Sequence, residues 1–184
     1  MRAFIALPLP PSDADVLEAM GDRLGFGRVI PSENVHLTLA FLGDVPEADL
    51  AEIAEGLESL SPAAFTYRLS GVRSFGNSHG GHALAMGAEG GAPLKDLHDR
   101  VRSRLYGAGM PLERRRFRPH VTFARLPGRL TIEEEGKLKA FLEREAHMAI
   151  EDIPADRFTL YESILTKDGS VYEPLVEYPL APPG

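Results

Sequence analysis

The amino-acid sequence predicts an α+β chain built as two similar halves, strand-helix-strand-helix-strands followed by helix-strand-helix-strands. Three observations carry that reading. Several segments repeat apolar residues at helical spacing, and between them lie short apolar or alternating runs bounded by turn residues. The third is a repeated pattern, His-apolar-Thr-apolar. It occurs as "HLTL" in "NVHLTLAFLG" (34–43) and as "HVTF" in "PHVTFARLPG" (119–128), and both stretches close on a glycine.

Taken in order, "AFIALPL" (3–9) reads as a short apolar strand. Ser12 or Asp13 can cap a helix running through Val16, Leu17, Met20 and Leu24 to Gly25. The strand holding His36 follows. After "GDVP" comes the helix "EADLAEIAEGLESL", with Leu50, Ile53, Leu57 and Leu60 on one stripe. Strands are expected near 65–72 and 82–88, parted by the turn-rich "GNSHGG". The second half opens with the helix "APLKDLHDRVRSRLYG", whose stripe is Leu94, Leu97, Val101 and Leu105. An arginine-rich loop leads into the strand holding His120, followed by the helix "TIEEEGKLKAFLERE". Two β-rich runs near 147–153 and 157–178 end the chain, the last folding back at Asp168-Gly169, a strong hairpin turn.

Composition narrows the function classes. A chain of 184 residues is long enough for a well-buried core, and residues 1–184 are expected to form one domain of two merged halves. Its N-terminal apolar stretch is too short for a secretory signal, and no run approaches the roughly 18 apolar residues of a membrane span. A cytoplasmic protein with no membrane partner is expected. The chain has no cysteine, which excludes disulfides and thiolate metal sites. With no long apolar helix face or heptad run left over, a monomer is expected.

The net charge of −7 argues against a long nucleic-acid track held by counterion release. Any such contact is expected to be local. "ERRRFRPH" sets Arg114, Arg115, Arg116 and Arg118 just before His120, and Arg125 follows it. This cluster is either a solvated loop or a phosphate-binding element.

Strand geometry gives the repeated pattern a meaning. Side chains alternate across a strand, so His36 and Thr38 share one face while Val35, Leu37, Leu39 and Phe41 share the other. His120 and Thr122 stand in the same way against Val121 and Phe123. If the halves are related by an approximate twofold, the two polar pairs face each other across a cleft.

These paired motifs resemble those of the two-histidine (2H) phosphoesterase superfamily. "MRAFIALPLP", "PSENVHLTLAFLGDV", "FRPHVTFARLPG" and "LYESILTKDGSVYEPLVEYPL" resemble the bacterial and archaeal RNA 2',3'-cyclic phosphodiesterases, first called 2'-5' RNA ligases, over nearly the whole chain. The resemblance implies two pseudo-symmetric lobes, each an antiparallel-rich sheet with helices outside, flanking a central cleft. It also implies RNA with a 2',3'-cyclic phosphate end, or a cyclic nucleotide, as substrate.

The chemistry suits these residues. Opening a cyclic phosphodiester with water needs a base for the attacking water and an acid for the departing ribose oxygen, on opposite sides of phosphorus. An imidazole pKa near 6.5 lets one ring be neutral and another charged at neutral pH. The family assigns proton donor to the first motif and acceptor to the second. By resemblance His36 is the acid and His120 the base, an order that the residues alone leave open. Thr38 and Thr122 would bind the non-bridging phosphate oxygens, with Arg125 adding a charge-assisted contact. An ideal strand sends Arg125, five positions after His120, to the opposite face. It is assigned to substrate binding because the family pattern carries an arginine there and strand ends bulge. Neither a metal nor another cofactor is required.

Two further functions share the motif: ATP-independent 2'-5' joining of RNA at the same site, or a non-catalytic module that binds RNA ends or nucleotides. Among the other histidines, His79 and His82 read as part of a flexible loop rather than a metal pair, and His98 and His147 as surface residues. Phe4 and Tyr161 are expected to pack in the core, with base stacking as the alternative if their strands border the cleft.

Overall fold

A computed structural model describes residues 1–76 and 81–183. In chain order the elements are β1 (Arg2–Pro8), α1 (Pro11–Asp22), β2 (Arg28–Val29), a 3-10 turn (Ser32–Asn34), β3 (His36–Asp44), α2 (Glu47–Glu58), β4 (Phe65–Gly76) and β5 (His82–Glu89). They continue with α3 (Gly91–Gly107), β6 (His120–Leu126), α4 (Ile132–Glu145), β7 (Ala149–Ala155), β8 (Arg157–Thr166) and β9 (Gly169–Pro179). None of the described helices is long and apolar enough to cross a membrane.

The strands form one antiparallel sheet in the order β7-β4-β5-β6-β3-β1-β8-β9, with β2 attached to β6. At its centre β3 and β6 meet through one residue pair, Leu37 opposite Val121. The sheet therefore divides into lobe one (β3, β1, β8, β9) and lobe two (β6, β5, β4, β7). The sequence reads as two successive halves, but the lobes are not those halves. Lobe two is the contiguous stretch from β4 to β7, and lobe one is assembled from the strands on either side of it.

Helices stitch the lobes together. α1 follows a strand of lobe one yet packs on β6 and β2, whereas α3 packs on both β3 and β4. Leu17 and Met20 of α1 and Leu97, Val101 and Leu105 of α3 are fully buried, in one core with Leu37, Leu39, Val121 and Phe123 of the central strands. Each such side chain contributes roughly 1.5–3 kcal/mol by leaving water. The stripes expected for α2 and α3 are all buried. In α1, Val16 instead faces solvent, and the helix starts at Pro10-Pro11 with no side-chain cap, so neither Ser12 nor Asp13 caps it. Proline at the first position has its φ preset and no N–H to leave unpaired. Thr131 does cap α4, through a capping box with Glu134.

His98 is buried rather than exposed as its sequence neighbours suggest. Its ring stacks on Phe117 with centroids 3.7 Å apart, and this contact seats the arginine-rich loop against α3. His147 is exposed, and His79 lies outside the described residues. His82 is on β5, opposite Leu126.

Candidate active site

The central pair Leu37–Val121 sets the geometry of the site. Stepping one residue either way along this antiparallel pairing puts His36 across from Thr122 and Thr38 across from His120. All four side chains are half-buried, while their neighbours Leu37 and Val121 are buried. The four polar groups thus share one face, and the opposite face packs on the helices.

Both motif strands carry a bulge at the same place. On β3, Thr38 pairs with Ala6 and Ala40 with Ile5, leaving Leu39 as the extra residue. On β6, Thr122 pairs with Ala85 and Ala124 with Leu84, leaving Phe123 as the extra residue. A bulge reverses which face the following residues take. Phe41, expected on the packed face, is 74% exposed and lies beside Phe4, their ring centroids 6.3 Å apart. Arg125, at an odd offset from His120, is returned to the face of His120 and Thr122 and is exposed. The sequence carries a trace of this device, since "HLTLAFL" and "HVTFARL" share an alanine two residues after the threonine. Phe41 and Arg125 are equivalent positions of the two lobes.

A short strand that the sequence reading missed holds the bulged edge of β6. The Ile30 backbone N–H donates to the Phe123 carbonyl at 2.9 Å, and Arg28 and Val29 pair with Arg125 and Ala124. Gly27, at φ +76°, lies where a Cβ would come within 2.8 Å of the Arg125 carbonyl, so the approach needs glycine. The only signal in sequence was "GFGR", which reads as a turn.

The two imidazoles are fixed alike. His36 Nδ1 lies 2.7 Å from the Asn34 carbonyl, and His120 Nδ1 lies 2.7 Å from the Arg118 carbonyl. A carbonyl accepts only, so each Nδ1 carries a proton and each neutral ring presents a basic Nε2. The turn that supplies Asn34 is itself anchored. The Ser32 N–H donates to Glu18 of α1, and Asn34 Nδ2 donates to the Ser170 carbonyl of β9 at 2.8 Å.

The surroundings of the two rings differ. His36 lies among aromatic rings, with Phe4 at 4.8 Å and Tyr172 edge-on at 5.3 Å, and Phe4 in turn stacks on Tyr161 at 5.1 Å. Phe4 is buried, but in this cluster on the face of His36. Among the described residues, His120 stacks on one ring, Phe75, at 4.6 Å. Burial pulls the His36 pKa from 6.5 down to about 4; the Asn34 carbonyl opposes this, and the positive charges of Arg125 and His120 add to it. Those two effects also place Arg125 and His120 within electrostatic reach of His36.

A cavity opens at the start of each motif strand. Beside His36 a space of about 240 Å³ is lined by Pro8, Leu9, Val35, Tyr161 and Tyr172, with Glu33 as its charged group. Beside His120 a groove of about 520 Å³ is lined by Phe75, Arg73, Arg116 and Arg118, with Glu89. The arginine cluster is therefore divided. Arg116 and Arg118 line the groove, Arg125 faces the histidines, and Arg115 pairs with Glu113 at 2.8 Å.

A family model described as the 2'-5' RNA ligase superfamily matches residues 9–160. The chain belongs to this family. An RNA 2',3'-cyclic phosphodiesterase of Aeropyrum pernix is 32% identical over 158 residues, covering 85% of this chain and 88% of that protein. One from Thermotoga maritima is 31% identical over 184 residues, covering 96% and 94%. Among solved structures, the protein TT0787 of Thermus thermophilus superposes with a TM-score of 0.71 at 25% identity, covering 98% of both chains. The 2'-5' RNA ligase superfamily thus accounts for both motif strands, whose residues all lie inside the matched range.

Proposed function

We propose that this chain hydrolyses the terminal 2',3'-cyclic phosphate of RNA or of a nucleotide to a 2'-phosphate, with His36 as acid and His120 as base. One observation carries the reading. Two imidazoles, each oriented by a carbonyl at Nδ1, share a face with two threonines and one arginine. The names of the A. pernix and T. maritima relatives supply the substrate class.

Water attacks phosphorus from the side of His120, whose Nε2 takes its proton. The P–O3' bond breaks, and His36 Nε2 gives a proton to the departing O3'. Thr38, Thr122 and Arg125 hold the non-bridging oxygens, where charge concentrates in the five-coordinate state. In the free protein His36 is neutral across the neutral range, because its pKa lies at about 4. The anionic phosphate favours the charged ring, so substrate binding takes up a proton at His36.

The test is a 2',3'-cyclic-ended oligonucleotide incubated in EDTA, with the product end identified by phosphatase treatment and chromatography. A 2'-phosphate end at an undiminished rate is expected. A 3'-phosphate product, or loss of activity that a divalent ion restores, would sink the mechanism. Joining to a 5'-hydroxyl strand is the second reading, favoured by the groove beside His120, which is larger than one water requires.

A further inference from the structure

His120 takes its orientation from the Arg118 carbonyl, which belongs to a segment without regular secondary structure. We infer that His98 is a positioning residue for His120, acting through the ring of Phe117 on the backbone of Arg118. The inference rests on the proposed function in taking His120 as the base.

The two lobes hold the orienting carbonyl by different means. In lobe one it belongs to Asn34, in a 3-10 turn closed by the Asn34 N–H on the Pro31 carbonyl at 2.8 Å. Hydrogen bonds to Glu18 and to the Ser170 carbonyl tie this turn to α1 and β9. In lobe two, residues 111–119 form neither helix nor strand, so no ladder of hydrogen bonds sets their dihedrals. The Glu113 carbonyl accepts from Arg102 at 2.8 Å, and the Pro119 carbonyl accepts from the Ala88 N–H at 2.9 Å. Between these anchors Arg114, Arg115, Arg116 and Arg118 are exposed, and Phe117 turns inward against the core.

His98 meets Phe117 there. It is 7% exposed, on the helix α3 whose Leu97 and Val101 are fully buried. The two rings lie 3.7 Å apart and 7° from parallel. His98 Nδ1 donates to Asp99 Oδ1 at 3.2 Å, which sets the rotation of the ring. Burial lowers its pKa, so a neutral ring faces Phe117 at neutral pH. Pro119 restricts Arg118 to extended backbone, and the direction of the Arg118 carbonyl then follows the placement of Phe117. Without the stack the carbonyl leaves His120 Nδ1, and the ring is free to carry its proton on Nε2. In that form Nε2 cannot accept a proton from the attacking water.

The test combines imidazole nitrogen-15 NMR of the substrate-free protein, at alkaline pH, with kinetics on a 2',3'-cyclic mononucleotide. His98→Leu keeps an apolar side chain without a flat face, and His98→Phe keeps the face. In His98→Leu, the Nδ1-protonated form of His120 is expected to give way to a mixture of tautomers, while His36, held by Asn34, is unchanged. Its kcat is expected to fall about 10- to 10²-fold with KM within about twofold, because a misaligned base harms the chemical step rather than binding. His98→Phe is expected to restore both readouts. Should His98→Leu disturb the His36 signal as well, Phe117→Leu removes the stack from the side of the loop, with the same expectation. Disturbance of His36 in both variants would make the stack a general structural contact and overturn the inference. An unchanged His120 tautomer, equal losses in His98→Leu and His98→Phe, or a loss confined to KM would also overturn it. Failure of wild type on the mononucleotide would instead overturn the proposed function, with the substrate-free tautomer of His120 still deciding the inference.

Discussion

The two lobes present the same device in different surroundings. Each holds a histidine by a carbonyl two residues earlier, sets a threonine on the same face, and inserts a bulged residue after it. After the bulge, lobe one exposes Phe41 and lobe two exposes Arg125. Lobe one surrounds its imidazole with Phe4 and Tyr172, and lobe two stacks it on Phe75 beside the arginines of the groove. Backbone symmetry builds two imidazoles held in the same way. Side-chain asymmetry then makes one flank apolar and the other cationic, a difference in surroundings on which the proposed division into acid and base rests.

The largest effects fall on the part the lobes share. His36→Ala and His120→Ala should each cost about 10²- to 10⁴-fold in kcat with the far-ultraviolet dichroism unchanged. If either variant keeps half of wild-type activity, the lobes are not equivalent in chemistry. Arg125→Ala is expected to lose about 10²- to 10³-fold, as does loss of a single oxyanion donor elsewhere. Phe41→Ala, at the equivalent position, should lose about 5- to 150-fold in kcat/KM, and mainly through KM, because stacking is worth roughly 1–3 kcal/mol per base. Equal losses in kcat would mean that Phe41 acts on the reacting phosphate as well.

Two smaller effects follow from the enclosure of His36. Bound anionic substrate raises its pKa from about 4, so the alkaline limb of the kcat profile should lie at higher pH than that of kcat/KM. Coinciding limbs would remove His36 as the acid. Unliganded stability should respond as well. The folded pKa of about 4 lies below the unfolded value of 6.5, so this contribution is complete above pH 6.5 and is lost as pH falls toward 4. His36→Phe removes the titration, and its Tm should decline less than that of wild type over this interval. Equal declines would mean that the ring protonates freely in the folded state.

Much of this arrangement was legible in the sequence, because its elements follow from short-range rules. The stripes of α2 and α3, the Asp168-Gly169 turn and the two motif strands all depend on spacing and turn chemistry. What escaped depends on pairing between distant strands. The bulges at Leu39 and Phe123 exist only relative to β1 and β5, so neither the exposure of Phe41 nor the orientation of Arg125 could be read from alternation. His98 looked like a surface residue because its partner, Phe117, lies in a loop with no periodicity. The strand β2 is two residues long and is defined by β6.

The nesting of one lobe within the other also dictates an order of assembly on the ribosome. Lobe two is complete once Ala155 has emerged, whereas β1 and β3 wait for β8 and β9, which end at Pro179. Until then the outer edge of β1, lined by Ala3, Phe4, Ile5 and Ala6, lies open to a neighbouring nascent chain. β8 and β9, which follow lobe two along the chain, both cover that edge and bring Tyr161 and Tyr172 to His36, so this imidazole acquires its apolar surroundings only after lobe two has been made.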